Sequence, residues 1–86
     1  MQLYQFLEEI RRAKGVSVRQ LAERARVPAE EMADYLAHGP YTSADIERRA
    51  ADALCLPPGP NAALRVAAYY RAAARGEAPA PPHHGA

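Results

Sequence analysis

The 86-residue chain predicts an all-α domain of five short helices. Two observations predict it. Apolar residues recur at three- and four-residue spacing in five separate stretches. Between the stretches stand capping residues, glycines or proline runs, which start and stop helices.

Leu3, Phe6, Leu7 and Ile10 make the first helix amphipathic, with Glu8, Glu9, Arg11 and Arg12 on or beside its wet side. Arg11, Arg12 and Lys14 gather at its C-terminal end, where the helix dipole favours positive charge, and Gly15 is a suitable stop. In the second helix Val18, Leu21, Ala22 and Ala25 repeat at helical spacing, and Ser17 is placed to cap it. The third helix carries Met32, Tyr35 and Leu36 and is entered through Pro28-Ala29-Glu30-Glu31, with its acids at the positive helix end. Only Ala25, Arg26 and Val27 separate these two apolar sets. Such a short turn suits helices that cross near a right angle.

Gly39-Pro40 breaks the third helix, with His38 in its last turn as a dipole-compatible end. Thr42-Ser43-Ala44-Asp45 reads as a capped start for the fourth, whose narrow stripe is Ile46, Ala50, Ala53 and Leu54. Cys55 at its end is expected to be a small buried hydrophobe. Pro57-Pro58-Gly59-Pro60 stops that helix. Asn61 caps a fifth, reaching about Arg75 and closed by Gly76. Leu64, Val66, Tyr69 and Tyr70 lie on more than one side of it, so they are candidates for a homodimer interface. The last stretch, EAPAPPHHGA, is short and proline-rich and is expected to be disordered.

The motif residues resemble the phage-repressor/Cro-like (XRE-type) helix-turn-helix family. Leu21-Ala22 in the first motif helix, Val27 after the turn, and Met32 and Tyr35 in the second carry the resemblance. It extends from about Leu3 to Leu56 through the flanking helices. It implies a repressor-like fold in which Ala22 is small because the next helix crosses close above it. It also implies double-stranded DNA as the partner, with the second motif helix in the major groove. Carried over position by position, the base-facing surface is Ala29, Glu30, Ala33 and Asp34, with Pro28 and Glu31 beside them. Arg19, Gln20 and Arg26 take the backbone-contacting positions.

The chain departs from that family in three places. None of the base-facing residues is the Arg, Lys, Asn or Gln that makes strong bidentate base contacts. Glu and Asp can still accept from cytosine N4, and alanine can touch a thymine methyl. Val18 stands where the family tends to carry Gln, and Arg26 where a turn glycine is common. A left-handed Arg26 carries a strain of roughly 1–2 kcal/mol. Glu30, Glu31 and Asp34 form an acidic patch that opposes phosphates. The alternative function is therefore a protein-interaction module in which that patch meets a basic partner.

Composition bounds the rest. The net charge is +1 and the pI about 7.9, so composition alone does not argue for DNA. Ten of the eleven basic residues are Arg, which keeps planar phosphate contacts open. One cysteine excludes an internal disulfide and fits a cytoplasmic home. No stretch has the form of a signal peptide or approaches the roughly 20 apolar residues of a membrane span. Metalloprotease, phosphate-loop and paired-cysteine motifs are all missing, so neither an enzyme nor a cofactor or metal is expected; His83 and His84 are read as incidental. The reading is a helix-turn-helix domain over 1–76 (motif about 17–38, fifth helix about 61–75) and a tail over 77–86.

Overall fold

The computed structural model describes residues 1–39 and 45–76. Among them the chain forms five α-helices: α1 (Leu3–Ala13), α2 (Val18–Ala25), α3 (Ala29–His38), α4 (Asp45–Ala53) and α5 (Ala62–Ala74). The all-α, five-helix architecture is the one that the apolar spacing predicts. The capped start read at Thr42-Ser43-Ala44 and the disordered tail read over 77–86 lie outside the described residues.

The apolar stripes meet in one core. Leu7 and Ile10 from α1, Leu21 from α2, Met32 from α3 and Leu54 after α4 are its largest fully buried side chains. Burying each contributes roughly 1.5–3 kcal/mol. Alanine fills the positions where helices approach: Ala22 on α2 and Ala50 and Ala51 on α4 are almost completely enclosed. Helix α2 packs on both α3 and α4, α1 on α3, and α5 against α4 and α1. The α2–α3 pair is thus held by α1 on one helix and by α4 on the other.

Three helix ends are built alike. After α1, α2 and α4 a left-handed residue follows, Gly15 (φ 71°), Arg26 (φ 58°) and Cys55 (φ 58°). Its N–H donates three residues back, and the next N–H donates five residues back: Val16 to Arg11 O, Val27 to Ala22 O, and Leu56 to Ala51 O, at 3.0–3.1 Å. This double bond pattern satisfies carbonyls the helix leaves orphaned, and the apolar residue after it turns back inward. Val16 and Leu56 are buried and Val27 is partly so. An arginine supports each end. Arg11 donates to Val16 O at 2.6 Å, Arg49 to Ala25 O at 3.1 Å, and Arg65 to Leu56 O and Pro57 O at 3.1 and 2.8 Å.

This ending corrects the expectation for Cys55. The thiol is exposed, because the left-handed position projects off the helix and Leu56 takes the place in the core. It also makes Cys55 a strained site. Cys55→Gly should stabilise the fold by about 1 kcal/mol, since a Cβ is disfavoured at this backbone conformation. Urea unfolding reads the gain; an unchanged or lower midpoint would contradict the assignment of strain.

Helix α5 starts at Asn61, whose side chain accepts from the Leu64 N–H at 2.9 Å, as its sequence position predicts. Its tyrosines face the body of the domain. Tyr70 donates to Glu9 Oε1 at 2.5 Å and meets Phe6 edge-on, while Lys14 Nζ lies 5.5 Å from the Tyr69 ring. Among the described residues no helix is long and apolar enough to cross a membrane.

Candidate nucleic-acid interface

The motif is positioned from its first residue. Ser17 Oγ accepts from the Gln20 N–H at 3.0 Å, and Gln20 Oε1 accepts from the Ser17 N–H at 3.0 Å. These reciprocal bonds close a capping box. Gln20 is therefore a structural residue whose acceptor is engaged, and only its amide hydrogens are left for a phosphate. The Ser-x-x-Gln spacing at 17–20 is the sequence signal for that role.

The turn follows from the left-handed Arg26, at the backbone conformation where the family resemblance expects glycine. Val27 then packs against the core and Pro28, at the N-cap of α3, sets the entry into it. Met32, Tyr35 and Leu36 pin the inner side of α3. Tyr35 also ties α3 to α4 by donating to Glu47 Oε2 at 3.0 Å. Burial, and then the Glu47 carboxylate, push its hydroxyl well above the usual tyrosine range. Tyr70 is shifted the same way by burial and by its bond to Glu9.

Both tyrosines hold their protons more tightly when folded. Their contribution is complete below about pH 10, the ordinary tyrosine value, and is lost as pH rises beyond it. Unfolding free energy should therefore hold steady up to about pH 10 and fall as pH rises above it. Tyr35→Phe and Tyr70→Phe should each flatten that fall; identical slopes would refute the assignment.

The outer side of α3 is where the sequence places the reading surface. Ala29, Glu30, Glu31, Ala33 and Asp34 are all exposed. Asp34 has only His38 nearby, at 3.9 Å, while Glu30 and Glu31 make no ion pair among the described residues. Arg19, Arg24 and Arg26 on α2 and its turn are likewise exposed and unpaired. The sequence signal for Arg24 is that it falls outside the apolar stripe of Val18, Leu21, Ala22 and Ala25.

Arg11, Arg12, Arg48, Arg49 and Arg65 are otherwise engaged. Arg11 and Arg12 bind the Glu8 carboxylate at 2.7 and 2.8 Å, and these bonds, Arg11's foremost, hold it below the usual range. Arg48 and Arg49 share Asp45 at 2.7 and 2.6 Å. Arg65 holds Asp52 at 2.5 Å. Arg11, Arg12, Arg48 and Arg49 are therefore held by acids of their own helices rather than free to meet a ligand.

Of the dimer candidates, Val66 is corrected. It is 5% exposed and belongs to the core, because α5 lays that side against α1 and α4. Leu64 is 50% exposed and stays on the surface. Tyr69 and Tyr70 are half-buried within their own chain.

Together these residues give an all-α domain in which α2 and its turn carry exposed Arg19, Arg24 and Arg26 beside Glu23, and α3 carries exposed Glu30, Glu31 and Asp34. The chain matches no family model, no curated protein and no solved structure.

Proposed function

We propose that this domain is a small DNA-binding transcriptional regulator of the repressor-like helix-turn-helix kind, acting in the cytoplasm. One observation carries the reading. Arg11, Arg12, Arg48, Arg49 and Arg65 are tied to acids or carbonyls, whereas Arg19, Arg24 and Arg26 on α2 and its turn make no ion pair among the described residues. Those three bind phosphates and place α3 in the major groove. There Ala29 and Ala33 meet thymine methyls, and Glu30 and Asp34 accept from cytosine N4. Two copies, joined on the exposed side of α5 around Leu64, read half-sites about 34 Å apart.

A randomised duplex pool, selected at two salt concentrations, tests it. The expected result is an enriched two-fold symmetric site. Replacing Arg19, Arg24 or Arg26 by Ala should lower the salt slope by about 1 each without changing the site. Glu30→Lys with Asp34→Lys should change the preferred bases instead. No enrichment and no affinity at low salt would overturn the proposal.

The second reading is favoured by one feature, that exposed Glu30 and Glu31 on α3 make no ion pair among the described residues. It makes α3 the contact for a basic protein surface. Under it the lysine substitutions abolish partner capture and raise nonspecific DNA affinity.

A further inference from the structure

An apolar groove runs between α1 and α5. Met1, Leu3, Phe6, Val66, Ala67 and Tyr70 line it, and it encloses about 650 Å³, with Arg71 and Ala74 at one end. Phe6 and Tyr70 meet edge-on within it, their ring centroids 5.7 Å apart, so one stretch of the wall is aromatic. Alanines at 63, 67 and 74 keep the α5 wall shallow.

Helix α5 delivers the chain to the Ala74 end of this groove. Gly76, at φ 78°, then takes the backbone off the helix axis. Glu77-Ala78-Pro79-Ala80-Pro81-Pro82 follow. We infer that this proline-rich segment of the same chain occupies the α1–α5 groove.

Reach permits it. Six residues span at most roughly 20 Å. The axis of α5 from Ala74 back to Ala63 measures only about 16 Å. The chemistry matches as well. From 78 to 82 the segment carries no side-chain charge, and its three prolines lack N–H donors, so covering it against apolar walls strands few polar groups. Proline-rich segments recognise aromatic-lined grooves by this match, aided by the small conformational entropy they lose. Charge adds an anchor. Glu77 is the one acid in 77–86, and Arg71 at the groove end has no ion pair among the described residues.

A tether also makes a weak contact sufficient, because attachment supplies an effective concentration in the millimolar range. A second copy is the less economical occupant. Stable protein interfaces bury about 1,200–2,000 Å² in all, far more than one shallow groove offers. The inference is independent of DNA binding.

The test uses the full chain, with Cys55→Ser and a nitroxide attached through Ala80→Cys. Amide signals of Phe6, Ala67 and Tyr70 should lose the most intensity, and those of α3 the least. Loss confined to the residues around Gly76 would overturn the inference. So would loss that appears only when nitroxide-bearing, unlabelled chains are mixed with ¹⁵N-labelled ones, since a second copy would then fill the groove. Replacing Pro79, Pro81 and Pro82 by Ser in the same spin-labelled chain should restore the signals of Phe6 and Ala67. Undiminished broadening in that variant would also refute it.

Discussion

Gly39→Ala should destabilise the domain by about 3 kcal/mol, a fall of more than about 12 °C in Tm for a domain of this size. Gly39 ends α3 at φ 94° and ψ −178°, a backbone region that essentially only glycine enters. Strain alone costs about 1–3 kcal/mol there. Space is the second obstacle. A Cβ on Gly39 would stand 2.9 Å from Cδ1 and Cε1 of Tyr4. Turning that ring away would disturb its edge-to-face contact with Tyr35, whose centroid lies 6.2 Å off. The two causes separate in a double-mutant cycle. In a Tyr4→Ala background the steric part disappears and the backbone part remains, so Gly39→Ala should cost roughly half as much. Equal costs in the two backgrounds would assign the whole effect to backbone strain. A cost below about 1 kcal/mol in the native background would contradict both.

Arg65→Met should cost about 2–3 kcal/mol, although it replaces a charge by a side chain of similar reach. The guanidinium is mostly enclosed, its side chain 13% exposed, and every nitrogen has work. Nε donates to Pro57 O at 2.8 Å, Nη2 to Leu56 O at 3.1 Å and Nη1 to Asp52 Oδ1 at 2.5 Å. The reason lies in the segment it holds. Pro57, Pro58 and Pro60 have no N–H, so the link between α4 and α5 cannot pair its own carbonyls. Methionine leaves those acceptors without a donor. Lysine should rescue little, since one ammonium cannot reproduce a planar fork aimed at three acceptors. The measurement is the urea midpoint of Arg65→Met and Arg65→Lys; a loss under about 0.5 kcal/mol in the methionine variant would show that water replaces the arginine.

How much of this was legible in the sequence follows from the range of each interaction. The helices and their stops were, because they depend on neighbours within a few positions. The stripe of Leu7 and Ile10, the cap at Ser17, the stop at Gly15 and the cap at Asn61 all occur where local chemistry puts them. The strain at Arg26 was legible too, as a conditional: the resembling family commonly carries glycine at this turn position, and here an arginine takes the left-handed conformation. The exposure of Ala29, Glu30, Ala33 and Asp34 follows once Met32, Tyr35 and Leu36 are taken as the inner side.

What failed depended on more distant partners. Cys55 looked like the last residue of an apolar stripe, yet it is the exposed left-handed residue and Leu56 is the buried one. Periodicity does not say where a helix gives way to its closing turn. Val66 looked available for a second copy because an alanine-rich helix shows no clear apolar side. Only the seating of α5 against α1 and α4 chose the face that holds it.

The arginines show the division most plainly. By itself the sequence determined five helices, their caps, a short turn between α2 and α3, and an outer α3 surface that is acidic and small. The tertiary structure alone decided that Arg11, Arg49 and Arg65 brace the helix ends while Arg19, Arg24 and Arg26 make no ion pair among the described residues. The acceptors of Arg49 lie partly on another helix, 24 positions away at Ala25, and those of Arg65 across a proline link. Helix periodicity is set by backbone geometry within one turn, but a guanidinium's partner is set by which surfaces pack together.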